Sequence, residues 1–139
     1  MDEEVVRSVE QLLTLFGRYA DCGDGERLAS LFLPDGTLSL GSSVSCGRSA
    51  IASFAKERSS APGRKTRHLW SNLELRTGDH GTLHASAIQQ TYELVAAAQS
   101  TQLRVSDLED VFARDSDGSW RFASRRIVRQ MSVTVDMEP

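Results

Sequence analysis

Cysteine, histidine and proline are all scarce in this chain, and the first two shortages each remove a class of explanation. The two cysteines, Cys22 and Cys46, form none of the closely spaced pairs that hold zinc or carry redox chemistry. They supply at most one bridge, and only the fold can decide whether they meet. The three histidines, His68, His80 and His84, fall in no ligand-spaced cluster, so the sequence implies no metal site. No apolar run approaches the roughly 18–20 residues that a membrane-spanning helix needs, and no signal-peptide pattern opens the chain. The expectation is a reduced, cytoplasmic setting without a membrane partner. Basic charge is not in excess either. Sixteen Lys and Arg against 19 Asp and Glu leave a formal charge of −3, which gives no reason to expect a nucleic-acid partner. No repeat or low-complexity segment occurs.

What remains is ordinary globular composition, 40% hydrophobic and 25% charged over 139 residues. That length suits a single domain spanning residues 1–139, which should bury roughly 70% of its unfolded surface without a disulfide or metal. Val5, Val6, Val9, Leu12, Leu13, Phe16 and Tyr19 recur at three- and four-residue steps and predict a helix from Glu3 to Tyr19. Gly23 and Gly25 break that stripe. A second helix is expected over Glu26–Phe32, ended by the turn signal Pro34-Asp35-Gly36, followed by a short strand over Thr37–Leu40. A third helix follows Gly47, with Ser49 as the expected cap and Ile51, Phe54 and Ala55 on one side.

Beyond the loop Ser60–Arg64 everything reads as sheet, with strands over Thr66–Arg76, Thr82–Val95, Leu103–Arg114 and Trp120–Thr134. Asp115-Ser116-Asp117-Gly118 is a strong hairpin turn. A straight strand of the second of these lengths would span about 46 Å, so the sheet must twist and curve. Three N-terminal helices on the hollow face of a strongly curved, mainly antiparallel sheet make a cone-shaped α+β barrel with an apolar interior, a natural small-molecule pocket.

Two residues stand out chemically. Asp21 follows the first helix, and His68 opens the run His68-Leu69-Trp70-Ser71-Asn72-Leu73. An imidazole oriented by a carboxylate is a general base suited to neutral pH. Spacing alone does not bring the two together, and Asp21 beside Gly23 also suits a simple turn role. Regular alternation would put Thr66, His68, Trp70 and Asn72 on one face. Trp70 would then wall a ligand and Asn72 would donate to a developing oxyanion. Tyr19 offers either a phenol or the end of the helix stripe. Arg125 is expected to pair with Asp110 or Glu109 at the pocket mouth. Arg64-Lys65-Thr66-Arg67 reads as a solvated loop that could also guide an anionic substrate inward, and His80 and His84 are expected to face solvent.

The ordered set Tyr19-Ala20-Asp21, Gly23-Asp24, Arg27 to Phe32, Pro34-Asp35-Gly36, Gly47-Arg48, Ala50-Ile51, His68 to Asn72 and Asp117 to Phe122 leading to Arg125 resembles the SnoaL-like branch of the nuclear transport factor 2-like superfamily. It covers almost the whole length. Its closest resemblance is to the scytalone dehydratase, bile acid dehydratase and lindane dehydrochlorinase group. There an Asp after the first helix and a His at the start of the third strand act as a dyad, and Asp21 and His68 match those positions.

The resemblance implies a cofactor-independent lyase or isomerase acting on a hydrophobic oxygenated small molecule such as a polyketide, steroid or terpenoid, with substrate contacts from Tyr19, Trp70 and Asn72. Other members of the fold are epoxide hydrolases, or non-catalytic binding and assembly modules, which is the competing reading. Two positions depart from the scytalone dehydratase pattern. Leu40 stands where that enzyme has a second tyrosine, and Gln89–Thr91 lacks its second histidine. Leu69, Leu73, Leu75, Ile88 and Val128 are expected to form an apolar outer sheet face that supports a homodimer or homotrimer.

Overall fold

The computed structural model describes residues 1–136. Helix α1 runs over Glu3–Cys22, three residues beyond its expected end. Asp2 caps it by accepting from the Glu4 N–H at 2.8 Å, and Glu3 and Glu4 favour its positive N-terminus. It stops at Gly23, whose φ of 73° lets the backbone turn left-handed and close on the Ala20 and Tyr19 carbonyls. Asp24 then caps α2, Gly25–Ser30, through the Arg27 N–H at 3.0 Å.

Phe32 does not end that helix but opens strand β1, Phe32–Leu40. Pro34-Asp35-Gly36 lies inside it as an irregularity, where the pairing register shifts between Phe32 and Thr37. A proline is tolerated at such a bulge because no ladder hydrogen bond is demanded of it. Strand β2, Ser43–Cys46, was not expected; it pairs antiparallel with the end of β1. Helix α3, Arg48–Ser59, starts after Gly47, and no side chain caps it, so Ser49 is not its cap. Gly47 instead ties its own N–H to the Gly36 carbonyl at 2.8 Å.

The long strands follow: β3 Arg64–Thr77, β4 Leu83–Val95, β5 Ser100–Arg114 and β6 Trp120–Asp136. The six-stranded order is β2-β1-β6-β5-β4-β3, antiparallel throughout except for the parallel β1–β6 pair. The three helices cover one face. Phe16, Phe32, Phe112 and Phe122 form the aromatic centre of the core, with Phe112 and Phe122 ring centres 4.8 Å apart.

Along the concave face the sequence changes character. β4 turns Leu83, Ala85 and Ala87 inward, then Gln89 and Thr91, all buried. β5 does the same in reverse order, with buried Arg104 and Ser106 preceding Leu108 and Phe112. The antiparallel pairing aligns the two polar stretches at one end, opposite the phenylalanine core.

Candidate functional site

Asp21 sits in the last turn of α1 rather than in a loop, because the helix continues to Cys22. Its carboxylate is mostly buried and accepts three hydrogen bonds from β3: the Thr66 hydroxyl at 3.0 Å, the His68 backbone N–H at 3.1 Å and His68 Nδ1 at 2.5 Å. Burial pushes the Asp21 pKa up, but the hydrogen bonds from His68 and Thr66 more than offset it and hold the group below its ordinary value. An ionised carboxylate only accepts, so Nδ1 must carry the donated proton and Nε2 is left as the unprotonated nitrogen of the neutral ring.

Gly17, one turn before Asp21, is the residue that sequence reasoning missed and that makes this contact possible. A Cβ there would stand 3.0 Å from His68 Cβ and 3.4 Å from its carbonyl oxygen. The signal was available, since a glycine inside a helix costs about 1 kcal/mol against alanine and calls for a packing reason.

His68 forms part of the wall of an interior cavity of about 80 Å³, room for several waters where one needs roughly 10–15 Å³ on the same measure. Phe16, Leu38, Phe54 and Ile127 supply apolar wall, and Gln89, Thr91, Ser106 and Arg104 supply the polar side. Leu40 and the pair Gln89 and Thr91, where the resemblance departs from scytalone dehydratase, all border this space. Arg64, expected in a solvated loop, begins β3 and lines it too, while Thr66 is buried against Asp21.

The other expected contacts are not on this wall. Trp70 keeps the inward side of β3 but spends its indole N–H on the Thr14 hydroxyl of α1 at 3.0 Å. Tyr19 packs partly against the core and, with Trp70, borders an outer cleft beside Asp21 and His68. Asn72 is exposed with φ of 57°, at a break in the β3–β4 register between Ser71 and Glu74. That bulge ends the alternation which would have turned Asn72 inward. It also turns Leu73 and Leu75 to the core, removing them from the expected outer apolar face.

Arg125 pairs with Asp110, through Nε at 2.9 Å and Nη2 at 3.2 Å, but not at a pocket mouth. The pair is buried, with the guanidinium 4.4 Å from the Phe16 ring centre and 4.8 Å from that of Phe122. Glu109 pairs instead with Arg126. His80 is exposed and His84 half-buried. Cys22 and Cys46 are free and exposed. Among the described residues no group of three His, Cys, Asp or Glu is placed to hold a metal, and no helix is long and apolar enough to cross a membrane.

A curved sheet closed by three helices over a small cavity defines a class of protein, and the comparisons with known proteins agree with it. Residues 3–126 match the SnoaL-like domain family, to which this chain belongs. A candidate scytalone dehydratase from Novosphingobium aromaticivorans shares the fold with a TM-score of 0.82 at 19% identity, over 96% of this chain and 89% of the other. A type 2 hexachlorocyclohexane dehydrochlorinase superposes with a TM-score of 0.79 at 17% identity, over 97% and 94% of the two chains. A protein from Catenulispora acidiphila, in complex with the small molecule S-DNPA, gives 0.80 at 21% identity over 92% and 95%. No curated protein sequence matches the chain.

Proposed function

We propose that the protein is a cofactor-independent lyase or isomerase in which His68 Nε2 removes a proton made acidic by a neighbouring carbonyl or leaving group. The observation that carries this reading is the three-bonded Asp21 carboxylate holding Nδ1 at 2.5 Å from Oδ1, on a ring that borders the cavity. Asp21 fixes the tautomer and stabilises the imidazolium formed in the transition state. With Tyr19 and Trp70 on the outer cleft and Asn72 in solvent, hydrogen bonds to substrate oxygen fall to Gln89, Thr91 and Ser106. The substrate is a small oxygenated molecule, with its apolar part against Leu38, Phe54 and Ile127.

The test does not require the natural substrate. Small ring ketones incubated with the protein in D2O should exchange their α-hydrogens, and β-hydroxy ketones should lose water to give an absorbing enone. Asp21→Asn should lower both rates by about 10²-fold or more while leaving ligand binding and the folded spectrum unchanged. Undiminished exchange in that variant would remove His68 and Asp21 from the chemistry and leave a binding module.

A further inference from the structure

The cavity holds a concentration of positive charge that proton abstraction by His68 does not use. Arg58, Arg64, Arg104 and Arg129 all line it, and no Asp or Glu is among the described residues that do. This is against the balance of the chain, which is −3 overall. Glu93, just outside, divides its two oxygens between Arg64 Nε at 2.5 Å and Arg104 Nη1 at 3.2 Å. One carboxylate therefore orients two guanidiniums without neutralising four.

Arg104 is 8% exposed, a degree of burial at which a cation needs counter-charge, and among the described residues its hydrogen bonds engage only Nη1, to Glu93 and to Gln102 at 3.3 Å. Arg64 is anchored by Nη1 to the Arg58 carbonyl at 2.6 Å. Arg58 and Arg129 stand at the rim and form no ion pair among the described residues. Partial burial, then the like charges of Arg64, Arg104 and Arg129, lower the Arg58 pKa, with Glu93 offsetting part of the effect. The pairing places His68, Thr91 and Arg104 in one inward row across β3, β4 and β5. Two strand spacings, about 9–10 Å, separate the imidazole strand from the guanidinium strand.

We propose that the substrate carries a carboxylate, received by Arg104 and Arg64 with Arg58 and Arg129 at the entrance, while its reacting C–H faces His68. A planar guanidinium matches a carboxylate through two parallel N–H donors, which an arginine pair already held by Glu93 can supply with little reorganisation. The inference deepens the reading of His68 as the base, because it places the acid group at the other end of the same small molecule. It also accounts for the polar stretch Gln89, Thr91, Arg104 and Ser106, which an entirely apolar ligand would leave unpaired.

Benzoate and benzamide, alike in shape and unlike in charge, are the probes. Titrations followed by 1H–15N spectra should give benzoate an affinity at least about tenfold above that of benzamide. Shifts should fall at Thr91, Arg104 and Ser106, and the affinity should drop with added salt. Arg104→Gln should abolish the preference. The rim double variant Arg58→Gln/Arg129→Gln, at exposed positions that do not threaten folding, should reduce it about threefold or more. Asp21→Asn should bind benzoate like the wild type. If that variant also keeps full turnover, the base is wrong and the anion site stands. Equal binding of the two probes, no benzoate binding at about 10 mM, or a preference that survives both arginine changes would overturn the proposal.

Discussion

At the scale of single residues, the contact between Asp21 and His68 depends on a residue with no side chain. Gly17 lets α1 lie close enough to β3 for a carboxylate one turn later to reach the imidazole. Gly17→Val should push the helix off the strand, cost about 1–3 kcal/mol by overpacking, and lengthen the Asp21–His68 bond. Loss of a far-downfield Nδ1–H resonance, together with slower turnover, would show it; an unchanged resonance would show that α1 is not held by this contact.

Asp21 also couples stability to acid. Its folded pKa lies below the ordinary 3.8, so the stability it contributes is present above that value and disappears as pH falls through the lower folded one. Urea unfolding of the wild type and Asp21→Asn should therefore differ most near neutrality and converge below pH 3.8. A gap that stays constant down to pH 2 (about two units below) would contradict the linkage.

At the scale of elements, β3 does two jobs divided by one bulge. Before it, Thr66, His68 and Trp70 face α1; after it, Leu73 and Leu75 take the inward positions and Asn72 occupies the left-handed turn between. Asparagine tolerates that backbone better than most residues, which explains its presence without a ligand.

Across β5 and β6 the buried Asp110–Arg125 pair fastens the sheet beneath the phenylalanine core. Burial raises the Asp110 pKa and the bidentate Arg125 offsets only part of that. Arg125 Nη1 is buried without a partner, so the pair is already incompletely satisfied. Asp110→Asn would leave a buried guanidinium without counter-charge and should cost about 3–5 kcal/mol in denaturant unfolding. A loss below about 1 kcal/mol would mean that the two phenylalanine rings carry the cation unaided.

At the scale of the whole molecule, the cone is graded, with aromatic packing at one end and a polar, arginine-lined cavity at the other. Its convex face still exposes Leu69 and Tyr92, and the far end of β6 exposes Met131, Val133 and Val135. We therefore expect a homodimer or homotrimer, and sedimentation as a strict monomer at micromolar concentration would count against it.

Much of this architecture was legible in the chain. The period of the α1 stripe, the Asp-Gly hairpin and the lengths of the four long strands depend on neighbours in sequence. Helix α1 and these four strands fell within a few residues of their expected places, whereas β2 and the early start of β1 were not foreseen. Asp21 and His68 could be singled out because their side chains are chemically unusual where they stand. Which residues share their surroundings was decided elsewhere. A one-residue bulge reversed the facing of Asn72, Leu73 and Leu75, since strand alternation is only as good as its register. Four arginines from α3, β3, β5 and β6 meet at one cavity only because the sheet curls and the helix lies across it. Periodicity is written residue by residue; convergence at a site is a property of the closed cone, set by curvature and cross-strand pairing that no local stretch encodes.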